Sequence, residues 1–357
     1  MNSSTSSSEA VVVTGAAGHV GENLIRELAK QGRRVRAIQY RRPIQFKHPL
    51  IEIAVANLQS AADLDRVFAN ATAVYHLAAV IPVGTVGQAD LINTNVEGTR
   101  NVDEACRRQR VPRLVHFSSI HAFDPLPINE PINESRSLVQ ENSGFVYDRS
   151  KAMGERVVLE AQPAGADRRS TLRVENPGCH ASEMRATANR PSGLDVIILN
   201  PTGIIGPYDF RPSAMGRVIQ RLMQGEMRFL VSGGFDWVDV RDVVAAAICA
   251  EQSAKSGERF ILSGTWLSVA DLAHQVDEIV GRRRWRVSIP ASLATGGCAV
   301  YAGLLRLFGV GTVYTPETVA ILQQHRFVSS AKAVAQLGFN PRPLHDTLRD
   351  TIDWFRS

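Results

Sequence analysis

The sequence lacks any metal-binding spacing of cysteine or histidine. Its four cysteines, Cys106, Cys179, Cys249 and Cys298, stand far apart with no C-x-x-C pair, and its nine histidines form no H-x-x-x-H. That excludes the common zinc signatures and a disulfide framework, so no metal is expected and a reducing cytosol suits the chain. The opening stretch "MNSSTSSSEA" has neither the basic nor the apolar region of a secretory signal. It reads as a disordered tail over residues 1–9, and the expected location is cytoplasmic. A membrane span is missing too. The most apolar late stretch, residues 291–311, carries five glycines and Arg306 and reads as a helix of a substrate-binding lobe. Charge of one sign is also scarce: the net value is +5, and the basic residues are spread rather than striped. No nucleic-acid partner is therefore expected. The one dense run, "GRRRWR" at 281–286, follows an amphipathic stretch and reads as a solvated helix-to-strand turn.

What is present is enough for a large core. Of 357 residues, 44% are apolar and 21% charged, the balance of a globular chain. Residues 10–21 read "AVVVTGAAGHVG", a β-branched run ending in glycines at Gly15, Gly18 and Gly21, followed by an amphipathic helix through Leu24, Ile25 and Leu28. Such a turn lets the backbone approach a pyrophosphate while the helix start offers free N–H groups. The further runs "RRVRAIQ", "IEIAVAN", "AVYHLAA" and "RLVHFSSIHAF" alternate with helical stretches. Alternation of this kind predicts an α/β fold, a doubly wound parallel sheet of Rossmann type. Ligand contacts then gather at the carboxyl ends of the strands, where Asn57, Ala78, Ala79, Ser118 and Ser119 stand.

Residues 147–151 read "YDRSK". On a helix, Tyr147 and Lys151 share one face. An ammonium beside a phenol favours the phenolate and draws its pKa toward the working range.

These motifs together resemble the extended short-chain dehydrogenases/reductases, the NAD-dependent epimerase/dehydratase superfamily. The likeness runs through T-G-x-x-G-x-x-G at 14–21, "HLAA" at 76–79, "NTNVEGTRNVDEAC" at 93–106, "FSSI" at 117–120 and "YDRSK". It continues in "NPTGIIGP" at 200–207, "WVDVRDVV" at 237–244 and the closing "SSAKAVAQLGFNPRPLHDTLRDTIDWF". The resemblance implies a catalytic set of Ser119, Tyr147 and Lys151, with Ser118 the competing serine. Tyr147 would exchange a proton with a substrate oxygen, Lys151 would hold the nicotinamide ribose, and Ser119 would fix the same oxygen. It also implies cofactor contacts from Gly15, Gly18, His19, Val20, Gly21, Asn57, Leu58, Ala78, Ala79, Pro201, Gly203 and Ile204. The second strand ends at Gln39 where an acid would grip an NAD ribose, and Arg41 and Arg42 follow. The expected cofactor is therefore NADP, with NAD the alternative, and Arg41 is placed at the 2′-phosphate.

The implied division is a tail over 1–9 and an NAD(P)-binding domain over 10–206, with residues 162–192 an inserted surface loop. A smaller substrate-binding lobe covers 207–357, with segments near 235–265 returning to the first domain. The closing motif and "SSI" look like the dihydroflavonol reductase and 3β-hydroxysteroid dehydrogenase branch, implying interconversion of a carbonyl and a secondary alcohol on a small hydrophobic substrate. The alternative is a nucleotide-sugar epimerase or dehydratase with bound NAD. Such enzymes carry a diphosphate-holding arginine where this chain has Phe235. A cofactor-binding regulator without turnover has no need of the full Ser–Tyr–Lys set. A homodimer is left open. His121, two residues past Ser119, reads as a satisfied strand-end histidine, and Trp237, Trp266, Tyr301 and Phe308 serve equally as substrate contacts or core.

Overall fold

Valines at 11, 12 and 13 alternate sides in an extended chain, and each side is buried by a different layer of helices. This is why the first strand carries no polar face. The computed structural model describes residues 9–81, 87–142, 144–160, 193–293 and 316–357. The expected tail up to residue 8, the 162–192 loop, Cys179, Cys298, Tyr301, Phe308 and most of 291–311 lie outside the described residues.

The strands of the first half are β1 (Ala10–Thr14), β2 (Val35–Gln39), β3 (Ile51–Val55), β4 (Ala71–His76), β5 (Arg113–Phe117) and β6 (Asp195–Pro201). Then come β7 (Gly203–Ile205), β8 (Phe229–Val231), β9 (Gly234–Asp239), β10 (Arg259–Leu262), β11 (Thr265–Ser268) and β12 (Val287–Ile289). Seven of them form a parallel sheet in the order β10-β6-β5-β4-β1-β2-β3. The order reverses between β1 and β4, which opens a crevice at their carboxyl ends. The chain thus forms the expected doubly wound sheet.

One face is covered by α1 (His19–Lys30) through Leu24, Ile25 and Leu28, and the other by α2 (Ala61–Phe68) through Leu64, Val67 and Phe68. The short α3 (Gln88–Ile92) leads through a π turn, Asn93–Glu97, into α4 (Gly98–Arg108), which packs beside α2. Next comes α5 (Val146–Glu160), the helix of "YDRSK". In the second half, α6 (Ala214–Gln224) and α8 (Val269–Val280) build a separate core around Trp237, Leu222 and Leu272. Between them in the chain, α7 (Val240–Ser253) lies against the large sheet with α1. The chain closes with α9 (Pro316–Ile321), α10 (Ala331–Leu337) and α11 (Leu344–Arg356). No helix among the described residues is long and apolar enough to cross a membrane.

The arginine run corrects the expectation of a wholly solvated turn. Arg282 and Arg283 are exposed, but Arg284 and Arg286 fold back on Asp277 at 3.1 and 2.5 Å. They also donate to the carbonyls of Leu222, Met223, Met227 and Ala273. Leu222 and Met223 lie in the last turn of α6, Met227 just beyond it and Ala273 on α8, so the alternate arginines clamp α6 to α8.

Removing Asp277 strands two guanidinium groups in a partly buried place. Asp277→Ala is expected to cost about 3 kcal/mol or more of unfolding free energy, whereas Arg282→Ala and Arg283→Ala stay within about 0.5 kcal/mol. Urea denaturation of the three variants checks this; an Asp277→Ala curve that overlays the parent refutes the clamp.

Candidate active site

The glycine turn sits at the crevice. Gly15 has φ +70°, and a side chain there would meet Ala78 N at 2.6 Å. A side chain at Gly21 would overlap the Gly15 carbonyl. The turn therefore lies directly on the carboxyl end of β4, bringing Ala78 beside Gly15. Gly18 caps α1 without a side-chain bond, so the first amides of the helix, at His19 and Val20, have no partner within the helix. A pyrophosphate fits this arrangement of small residues and unused donors. The His19 ring itself is engaged elsewhere, with Nε2 at 3.2 Å from the Pro207 carbonyl, and burial holds its pKa below the ordinary value.

A buried chain of hydrogen bonds runs from this turn to α5. Thr99 Oγ1 donates to the Asn95 carbonyl at 2.7 Å, so it accepts from His76 Nε2 at 3.0 Å. His76 Nδ1 is then an acceptor and takes the Thr14 hydroxyl at 2.8 Å. Burial, with the charge of Lys151, lowers the His76 pKa to about 3, which keeps this single neutral tautomer. Asn95 lies on the π turn. Its amide takes Val80 N at 2.7 Å and donates to Val80 O and Ser150 Oγ, each at 3.0 Å. Ser150 in turn donates to the Tyr147 carbonyl at 2.7 Å.

Tyr147 and Lys151 stand on successive turns of α5, as expected. The two serines after β5 separate cleanly: the Ser119 hydroxyl acts on that of Tyr147, favouring its ionised form, while Ser118 faces Glu155. Asn200 holds this corner by donating to the Ser119 carbonyl at 3.0 Å. Lys151 Nζ donates to the Phe117 carbonyl at 3.2 Å. The electrostatics differ from the sequence expectation. Burial pushes the Tyr147 hydroxyl up to about 12, against the Ser119 hydrogen bond, and Asp148 adds to the rise. Burial also pulls Lys151 down to about 8, against the Glu155 carboxylate. Desolvation outweighs the mutual effect of the pair, so Tyr147 is a neutral phenol at pH 7.

The remaining predicted residues spread along the crevice. Ala79 follows Ala78, and Ala78 N bonds Thr14 Oγ1 at 3.4 Å. Asn57 forms a turn after β3, its side chain accepting from Gln59 N at 3.1 Å, and the Leu58 carbonyl accepts from Asn101 at 2.9 Å. Pro201 ends β6, while Gly203 and Ile204 pair with Trp237 and Val238. Arg41 is exposed over the Tyr40 ring at 5.1 Å. Trp237 is core, 2% exposed. His121 is held by long-range contacts that local sequence does not display. Its Nδ1 faces Asp148 Oδ1 at 3.2 Å, and its ring meets those of Tyr147 at 5.6 Å and His325 at 4.9 Å. His325 and Asp148 join the candidate site without having been singled out in the sequence.

Comparison with known proteins adds to this geometry. The model of the NAD dependent epimerase/dehydratase family matches residues 11–178 and 179–262. The chain is 31% identical over 350 residues to sterol demethylase protein B of Methylococcus capsulatus, covering 97% of this chain and 98% of that protein. It is 27% identical over 326 residues to 3beta-hydroxysteroid-dehydrogenase/decarboxylase isoform 1 of Arabidopsis thaliana, covering 85% and 67%. Among solved structures, that of gox2253 superposes with a TM-score of 0.77 at 28% identity, over 98% of both chains.

Asn95→Ala leaves Val80 N and O without partners, each costing about 1–3 kcal/mol when buried, and loosens the segment that carries Ala78 and Ala79. The expected outcome is a lower melting temperature together with weaker NAD(P)H binding in a fluorescence titration. A variant matching the parent in both would show that the chain does not position the crevice.

Proposed function

This chain belongs to the NAD dependent epimerase/dehydratase family, and we propose that it is an NADP-linked reductase or alcohol dehydrogenase. It interconverts a carbonyl and a secondary alcohol on a small hydrophobic substrate. The observation that carries this reading is that Tyr147 and Lys151 stand one turn apart on α5, with the Ser119 hydroxyl acting on that of Tyr147. Ser119 and Tyr147 orient the substrate oxygen between two hydroxyls. In the reducing direction Tyr147 gives that oxygen its proton, and the neutral phenol set by burial is the form that can do so. Lys151, positively charged below about pH 8, compensates the phenolate left behind and would hold the cofactor's ribose. The nicotinamide supplies or receives the hydride when bound. Gly15, the start of α1 and Ala78 would seat the pyrophosphate, Asn57 and Leu58 would border the adenine, and Pro201, Gly203 and Ile204 would border the carboxamide.

The names of the two relatives support a hydrophobic alcohol or ketone as substrate. Phe235 supports it from the other side. Its ring packs against Trp237 at 5.6 Å in the core of the second lobe, where a nucleotide sugar would need a cation.

The test is NADPH oxidation with a panel of hydrophobic ketones, beside UDP-sugars with NAD. Tyr147→Phe is expected to lose roughly 10²–10⁴-fold in turnover with NADPH affinity unchanged, and turnover within a few-fold of the parent refutes the role. UDP-sugar turnover without ketone reduction would replace this reading with an epimerase or dehydratase.

Lys151 also sets a pH dependence. As pH rises through about 8, it loses its proton. NADPH binding should therefore weaken roughly tenfold from about pH 7 to about pH 9, the loss of one charge-assisted hydrogen bond. Lys151→Arg, permanently charged, flattens that slope; titrations at three pH values decide it.

A further inference from the structure

One histidine touches both residues whose hydroxyls carry the proposed chemistry. Ser119 and His121 share the short turn that follows β5, and the His121 amide donates to Ser119 Oγ at 3.3 Å. A hydroxyl that accepts there keeps its own hydrogen for another partner. The Ser119 carbonyl is fixed as well, accepting from Ala122 N and from Asn200 Nδ2, each at 3.0 Å. The His121 side chain reaches α5. Its ring meets that of Tyr147 edge-on, with 5.6 Å between centres and 66° between planes.

Tyr147 stands where such a support matters. It is the second residue of α5, in the turn whose backbone amides the helix does not itself hold. Ser150 and Lys151 in the next turn are buried, whereas Tyr147 is only partly covered. An edge-on aromatic contact restrains a ring that the helix start leaves free to swing. Misplacing a reacting group by about 1 Å costs on the order of 10²-fold in rate.

His121 is itself gripped. Asp148 is 3% exposed, and its Oδ1 lies 3.2 Å from His121 Nδ1. The ring of His325 packs against that of His121 at 4.9 Å and 70°. Burial holds the His325 pKa well below the ordinary value, so it meets His121 as an uncharged ring. The backbone beside His325 is tied down. Ile132 N donates to Phe327 O at 2.8 Å, and Ser329 N to Ile132 O at 2.9 Å. Ile132 lies in the loop that follows His121, where Val139 N donates to Ala122 O at 2.9 Å and Asp124 N to Ser137 O at 2.8 Å. Turn, loop and late segment thus all return to one imidazole.

We propose that His121 is a positioning residue of the reaction: its amide aims the Ser119 hydroxyl, its ring holds that of Tyr147, and His325 braces it from a late segment of the chain. This rests on the reading of Ser119 and Tyr147 as the acting hydroxyls, and it gives the C-terminal part of the chain a share in placing them.

Steady-state turnover of the full-length protein, with NADPH and a ketone or with NAD and a UDP-sugar as the panel above selects, tests the assignment. His121→Ala keeps the amide and removes the ring. Its kcat should fall roughly 10- to 100-fold, the range of a misplaced reacting group, with cofactor affinity and melting temperature near the parent's. His121→Asn, which also lacks the ring, repeats the measurement should the Ala variant unfold. His121→Phe restores a ring and should recover most of the loss. A Phe variant as slow as the Ala variant, at the parent's melting temperature, means that the imidazole nitrogens act chemically, and the positioning role falls. His325→Asn puts in a residue that tolerates the left-handed backbone there, φ +55°. It should slow the parent a few-fold and leave the His121→Ala variant unchanged, the non-additivity of residues that act through one another. Equal losses in both backgrounds overturn the brace. Parental kcat in His121→Ala overturns the proposal outright. Tyr147→Phe in the same assay separates it from the reading beneath, since parental turnover there removes the premise itself.

Discussion

The candidate site depends on one buried side chain, the amide of Asn95. It spends its oxygen on Val80 N and its two hydrogens on Val80 O and Ser150 Oγ, while its own carbonyl receives Thr99. Through Thr99 and His76 the same residue reaches Thr14 at the foot of the glycine turn. Three separate pieces are thereby placed in one frame: the phosphate turn, the strand end at Ala78, and the helix with Tyr147 and Lys151. Every member is satisfied, so the network can be buried at little cost. It also requires His76 to stay neutral, since a second ring proton would face a Thr14 hydroxyl whose hydrogen already points at it. Burial enforces that state.

The local signals were legible. Gly15, Gly18 and Gly21 follow a β-branched strand, and Tyr147 and Lys151 are four residues apart on a helix, so short patterns carry them. The sheet was legible for the same reason, because strands buried on both faces show as apolar runs. The work of Asn95 was not. "NTNVEGT" reads as plain helix, and only the fold shows that a π turn at Asn93–Glu97 aims the side chain at partners 15 and 55 residues away. The arginine run was half legible: composition reveals the charge, but only tertiary contact reveals that Asp277 turns alternate side chains inward. His325 is the extreme case. It meets His121 from more than two hundred residues away, in a left-handed conformation with φ +55°.

Electrostatics around Tyr147 follow from competition between burial and charge, and burial wins. The phenol rises and the ammonium falls, both toward their neutral forms. Asp148 reinforces the rise, being a carboxylate that is itself 3% exposed and next in sequence. His325 obeys the same rule: burial, with His121 beside it, carries its pKa well below the usual value. The polar groups around the tyrosine are therefore hydrogen-bonding surfaces first and charges second. Such surroundings favour a proton donor over a resident phenolate.

The joint between the halves obeys a different balance. At the start of α7, Asp239 has no exposed side-chain surface, yet Arg241 lies 2.7 Å away and Arg342 3.5 Å away. Burial alone would raise this carboxyl, but the hydrogen bonds and charge of Arg241, with the charge of Arg342, hold it below the ordinary value. Arg241 continues to Asp350 on α11 at 2.7 Å, and Arg342 to Asp242 at 2.6 Å. Because the folded pKa of Asp239 is depressed, its contribution is present above the unfolded carboxylate value and is lost as pH falls through the folded one. Partly buried pairs are also screened little by salt. The contribution of Asp239 is therefore present through neutral pH, and its pairs with Arg241 and Arg342 help to hold the spacing of the two lobes across the crevice.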